Sequence, residues 1–314
     1  MTKPATPDMT PDKNGSAENT FGLLMLLAVM TLIINCATER PITRLTPPQR
    51  FGEAVSVGYL ANPQINEASG LASSRRYPSV LWAINDGGDD PMLYAVGTDG
   101  ADLGTFRVDG ARNYDWEALA SFQLQDTAYL LIADVGDNWE QRKTSSLYVV
   151  EEPSLTKADL SDDTPVRIVW HIHFTYADGP RDCEAVAVDA ALQRVLLLSK
   201  RSMPPVLYEL PLQPVDDDVI AVAQRVTTVP YFNWPTAMDL SPDGLSALVL
   251  TYNSVYLFFR RPDEDWLDAL KKQPRRLNFT QLNQQEAACF GFYGKSVYVT
   301  SEKRPAPLIR IDLE

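Results

Sequence analysis

Histidine and cysteine are almost missing from this chain, two and three in 314 residues. Three cysteines imply no disulfide framework, and Cys183 and Cys289, which fall in separate copies of a repeat, read as buried apolar thiols. His171 and His173 share one face of an outer strand with no carboxylate or thiolate nearby, a poor basis for a zinc site. Basic excess is missing too: the formal net charge is −13, which argues against nucleic acid or an anionic membrane surface as the main partner. No G-x-S-x-G, P-loop or C-x-x-C motif occurs.

Long apolar runs are missing except one, Phe21–Ile34. At about 1.5 Å per residue it spans about 21 Å, short of the ~30 Å hydrocarbon core, and it fits the h-region of an export signal. Ile33-Ile34-Asn35-Cys36 resembles a lipoprotein lipobox, which makes Cys36 the candidate lipidation site. An uncleaved anchor or a buried helix are the alternatives. The expected plan is a disordered segment 1–20, the hydrophobic segment 21–36, a Pro-containing linker 37–50 and a domain 51–314. That domain is expected in the periplasm or outside the cell, meeting the membrane only through its anchor.

What the chain does have is a repeat. Glu67-Ala-Ser-Gly-Leu-Ala72, Asp115-Trp-Glu-Ala-Leu-Ala120, Asp182-Cys-Glu-Ala-Val-Ala187, Trp234-Pro-Thr-Ala-Met-Asp239 and Gln284-Gln-Glu-Ala-Ala-Cys289 align at one register. Ser69, Glu117, Glu184, Thr236 and Glu286 share a position, at spacings of 48, 67, 52 and 50 residues. Each copy continues into a second β-rich run, a third keyed by an aliphatic-Tyr pair or close variant, and an amphipathic fourth. Copy five lacks the fourth. Units of this length and kind predict an all-β, five-bladed β-propeller with four-stranded blades. An orphan strand at 53–60 would complete the last blade and close the ring.

Strand alternation assigns the five oxygens to the channel axis, the small residues Gly70, Ala118, Ala185, Ala237 and Ala287 to blade packing, and Leu71, Leu119, Val186, Met238 and Ala288 to an axial plug. Three facing glutamates repel by about 4 kcal/mol per pair at about 4 Å with an effective dielectric of about 20. Protons or a cation must offset this, and five hard oxygens suit Ca²⁺. The expected metal ligands are Ser69, Glu117, Glu184, Thr236 and Glu286.

The order Ser, Glu, Glu, hydroxyl, Glu resembles the calcium-activated nucleotidases of the apyrase type, five-bladed propellers with axial Ca²⁺. Asn85-Asp86-Gly87, Trp116-Glu117 and Val135-Gly136-Asp137-Asn138-Trp139 are similar to stretches of that family. The resemblance implies a mouth where a phosphate ester could be handled. There Asp86 and Asp115 are the candidates for orienting water, and Lys200, Lys303, Asp182 and Asp134 for holding substrate.

Two functions stay open. One is a calcium-binding propeller with a non-catalytic binding or scaffold role, its mouth taking a small phosphate ester, an envelope protein or a polysaccharide. The other is a calcium-dependent hydrolase of nucleotides or other phosphate esters. No complete catalytic set can be assigned, which favours binding.

Overall fold

Short runs of β-branched and aromatic residues, cut by turn residues, leave the chain little option but strands. The computed structural model describes residues 50–156, 164–216, 218–277 and 279–314. The disordered segment, the hydrophobic segment with Cys36 and the linker up to residue 49 lie outside the described residues. No helix among the described residues is long and apolar enough to cross a membrane.

Strand β1 (Phe51–Tyr59) precedes the repeats. Copy one forms β2 (Ala68–Ser73), β3 (Val80–Asn85), β4 (Met92–Gly97) and β5 (Asp102–Asp109). Copy two forms β6 (Trp116–Leu124), β7 (Thr127–Asp134), β8 (Ser145–Glu151) and β9 (Thr164–Tyr176). Copy three forms β10 (Cys183–Asp189), β11 (Arg194–Ser199), β12 (Val206–Pro211) and β13 (Ile220–Thr228). Copy four forms β14 (Pro235–Leu240), β15 (Ser246–Thr251), β16 (Val255–Phe259), helix α1 (Trp266–Ala269) and β17 (Arg275–Leu277). Copy five forms β18 (Gln285–Phe290), β19 (Ser296–Ser301) and β20 (Pro307–Leu313).

Within each copy the strands pair antiparallel in sequence order, and β1 pairs antiparallel with β20. Copy five thereby gains its fourth strand from the other end of the domain. Strand β9 is long enough to reach both neighbours: its start runs parallel to β5 and its end parallel to β13. This merges the first three copies into one 12-stranded sheet.

The core is divided. Five apolar clusters lie between successive units: Trp82 and Phe106 with Trp116, Leu131 and Phe174 with Tyr208, Leu198 with Phe258 and Trp266, Leu250 with Phe290, and Leu81 with Leu308. The last of these joins copy five to copy one. First strands pack in the same cycle, β2 on β6, β6 on β10, β10 on β14, β14 on β18, and β18 on β2. A Cβ added to Gly70 would stand 2.8 Å from the Leu119 amide nitrogen and 2.8 Å from Ile84 Cγ1. Close approach of neighbouring strands is thus the reason for the small residue at that position.

The expected axial plug is corrected here. Leu71, Leu119, Val186, Met238 and Ala288 each belong to a different one of the five clusters, packed between sheets. Alternation along a first strand distributes side chains to its two neighbouring units: Ala118 faces copy three and Leu119 faces copy one. Helix α1 packs one face into the cluster between copies three and four. Asp265 caps it by accepting from the Leu267 amide at 2.8 Å, and Trp266 and Leu270 are fully buried.

Candidate functional site

All five register oxygens sit on β-bulges. In β2 the residue Ala68 pairs with Asn85 and Gly70 with Ile84, so Ser69 is the extra residue. The same shift isolates Glu117 in β6, Glu184 in β10, Thr236 in β14 and Glu286 in β18. A bulge removes one residue from alternation and re-aims its side chain. This is how a position inside a buried strand can point away from both neighbouring sheets.

The five then divide by chemistry. The Ser69 hydroxyl donates to the Trp116 carbonyl at 2.7 Å and the Thr236 hydroxyl to the Gln285 carbonyl at 3.2 Å. Each stitches its strand to the next copy, one residue before that copy's glutamate. Glu117, Glu184 and Glu286 instead line one cleft of about 440 Å³. Opposite them, each second strand contributes the residue that follows it: Asp86, Lys200, Tyr252 and Glu302. Copy two carries Val135 there, and its lining group is Asn138.

Lys200 is the internal offset that protons or a metal alone were expected to supply. Its ammonium pairs with Glu184 and lies 5.2 Å from the centre of the Tyr252 ring. Burial alone would lower its pKa, but Glu184 more than compensates and the group stays charged. Burial pushes Glu184 up to about 8, with Lys200 pulling the other way. Glu286 is pushed up to about 7, by burial and then by Glu302, while accepting from the Tyr252 hydroxyl at 3.1 Å.

Glu117 has no such support. It is 5% exposed and makes no hydrogen bond or ion pair among the described residues, although Lys200 in the same cleft attracts it at longer range. One carboxylate oxygen each from Asp86, Asp115 and Glu117 lie within 4.8 Å of one another. Burial, and then Glu184, Asp86 and Asp115, hold Glu117 well above the usual carboxylate range. Burial and then Asp86 push Asp115 up to about 7, against Arg142. Asp86 is raised chiefly by burial, with a hydrogen bond from the Gly87 amide opposing.

Two glycines leave room for this triad. A Cβ at Gly136 would come within 2.5 Å of Asp115 Oδ2 and 2.8 Å of Glu117 Oε1, and one at Gly87 within 2.7 Å of Asp115 Oδ1. Gly87 and Gly136 belong to the stretches that carry the family resemblance, yet their contact with the carboxylates is a tertiary fact.

The remaining sequence candidates separate. Asp134 is fully buried, accepts from the Tyr114 and Asp115 amides at 3.4 and 3.2 Å and pairs with Arg142 at 2.7 Å. Asp182, also fully buried, accepts from the Asp137 amide at 3.0 Å and pairs with Arg201 at 2.6 Å. Both build the mouth from beneath. Lys303 bonds Glu302 at 3.1 Å and stands 3.7 Å from Glu67. Gln284 holds the other Glu302 oxygen at 2.6 Å. The register aligned Trp234 and Gln284 with Asp115 and Asp182, and both line the cleft; sequence reasoning overlooked Arg142, which sits outside the shared register.

His171 and His173 lie together on β9, ring centres 4.6 Å apart, and His173 Nδ1 is 2.9 Å from the Ser146 hydroxyl. Cys183 and Cys289 are buried free thiols in separate clusters. A further cavity of about 240 Å³ lies at the far ends of the first strands, where Arg260 and Asp189 stand 3.6 Å apart.

No family model matches the chain. No curated protein matches it either. Among solved structures it is similar to the PQQ-bound form of aldose sugar dehydrogenase from Streptomyces coelicolor, at 11% identity, covering 86% of this chain and 100% of that one with a TM-score of 0.43. A likeness so distant lends no role to any residue.

Proposed function

We propose that residues 51–314 form a five-bladed β-propeller, closed by β1, whose mouth holds Ca²⁺ and uses it to bind a ligand. Support for the ring comes from the cyclic packing of the five first strands and the five clusters between units. The observation that carries the cation is Glu117, a buried carboxylate without a protein partner, gathered with Asp86 and Asp115. These are hard oxygen donors with no imidazole or thiolate beside them, the set that suits Ca²⁺, with waters completing its six to eight ligands. The ligand set is therefore Asp86, Asp115 and Glu117 in place of the five-membered ring. Ser69 and Thr236 tie strands together, and Glu184 already has its cation in Lys200.

Binding is favoured over turnover because both lysines suited to phosphate are engaged with carboxylates of the cleft itself. The second reading, calcium-dependent hydrolysis of nucleotides or other phosphate esters, draws on the gathering of Asp86 and Asp115 beside the candidate cation, where a carboxylate can orient a water for attack.

Calcium titration of metal-stripped protein, followed by calorimetry and melting, tests the cation. Calcium at about 100 times its Kd is expected to add about 2.7 kcal/mol of stability. Glu117→Gln is expected to remove most of that gain. A wild-type melting temperature indifferent to calcium overturns the site. Calcium-dependent phosphate release from a panel of nucleotides and phosphomonoesters, silenced by chelator, would favour the hydrolase.

A further inference from the structure

The loop after β7 concentrates buried charge under an exposed indole. Asp182 holds the Asp137 amide at 3.0 Å, Asp137 accepts from the Arg142 amide at 2.7 Å, and the Arg142 guanidinium donates to the Gly136 carbonyl at 2.8 Å and pairs with Asp134 at 2.7 Å. All three aspartates are buried. At the tip of the loop Trp139 is 82% exposed, and across the cleft Tyr114 is 62% exposed. These bonds fix the loop at residues 136–137 and at Arg142, and leave the Trp139 side chain between them in water. An exposed indole on a loop held at both ends offers an aromatic platform for one face of a ligand.

Trp139 and Tyr114 line one cleft of about 620 Å³ together with Asp115, Asn138 and Lys143. Asp115 also belongs to the triad, so the platform adjoins the candidate cation. Lys143 is exposed and has no ion-pair partner among the described residues.

We propose that this cleft binds an acidic saccharide of the hexuronate type, its ring lying on Trp139 and its carboxylate directed to Lys143 and the cation side. The inference rests on the ligand-binding reading of the mouth. The lining selects for sugar over other flat anions. Asp115 and Asp137 line the cleft as acceptors, and ring hydroxyls can donate to them, while the Asn138 side-chain oxygen is held by Arg201. A phosphate dianion brings two negative charges towards Asp86, Glu117, Glu286 and Glu302 in the adjoining cleft. A single carboxylate beside several hydroxyls meets less repulsion and can share a calcium ion with protein oxygens.

The test is binding of digalacturonate, of the neutral disaccharide maltose and of a nucleoside monophosphate to the full domain. Indole fluorescence and calorimetry would follow it, with and without calcium. Digalacturonate is expected to bind and to perturb indole emission, Trp139→Ala to weaken it at least tenfold, and Lys143→Ala to weaken it while leaving maltose unaffected. Trp139→Ala should keep the wild-type melting temperature and its response to calcium alone, because the side chain is in solvent. Calcium binding with no digalacturonate binding overturns the saccharide site and leaves the cation reading standing. Digalacturonate binding lost with Trp139→Ala but indifferent to calcium supports the platform and removes the cation from it. A nucleoside monophosphate bound more tightly than digalacturonate, and released by Trp139→Ala, overturns the saccharide in favour of a nucleotide.

Discussion

At the scale of the residue, what matters is which carboxylates keep a proton. Asp239, in β14, is 5% exposed and accepts from the Phe290 amide of the next unit and from the Leu240 amide, both at 2.8 Å. Burial lifts its pKa from 3.8 to about 6, although Arg75 opposes this. The folded state then holds a proton that the unfolded chain has released between about pH 4 and 6, so stability is greatest below that window and falls as pH rises through it. Asp239→Asn keeps one of the two acceptors, at a cost that does not vary with pH, and removes the ionisation. Its melting temperature should gain on wild type from pH 4 to 7, and a difference constant with pH would refute the assignment. Little of this was legible beforehand. Asp239 replaces an Ala or Cys of the other copies, which marks it as unusual, but its burial and partner come from the β14–β18 contact.

At the scale of the element, the bulge is the decisive feature. The sequence register correctly aligned Ser69, Glu117, Glu184, Thr236 and Glu286, because identical spacing to a small residue is a one-dimensional fact. It could not show that each is the unpaired residue of a bulge. A bulge is a backbone event with no composition of its own, and regular alternation therefore sent the apolar residues to an axis where none of them lies. The small-residue position was legible for the right reason. Gly70→Ala is expected to cost about 1–3 kcal/mol, since its Cβ would press on the Leu119 backbone. The urea midpoint measures this, and an unchanged midpoint would mean that β2 and β6 do not approach as described.

At the scale of the whole molecule, the two ends of the domain meet. Strand β1 pairs with β20, and Arg275 of β17 lies with its Cζ 4.2 Å from the centre of the Phe51 ring, so copies four and five both hold the N-terminal strand. Deleting residues 51–59 bares the β20 edge, and unpaired edges recruit other chains. Light scattering should show self-association, and a monomer melting like the parent would contradict the closure. The missing fourth strand of copy five and the orphan strand before copy one could be matched from sequence, because counting strands needs no coordinates. Sequence alone determined the all-β character, the order of the strands and the register that puts glutamates at equivalent points, since these follow from local pattern and repetition. Only the tertiary structure decided that Lys200 neutralises Glu184, that Ser69 and Thr236 spend their hydroxyls on neighbouring strands, and that Glu117 is left with Asp86 and Asp115. Those outcomes depend on how separate copies face one another across a cleft, and contacts between copies leave no period in the chain.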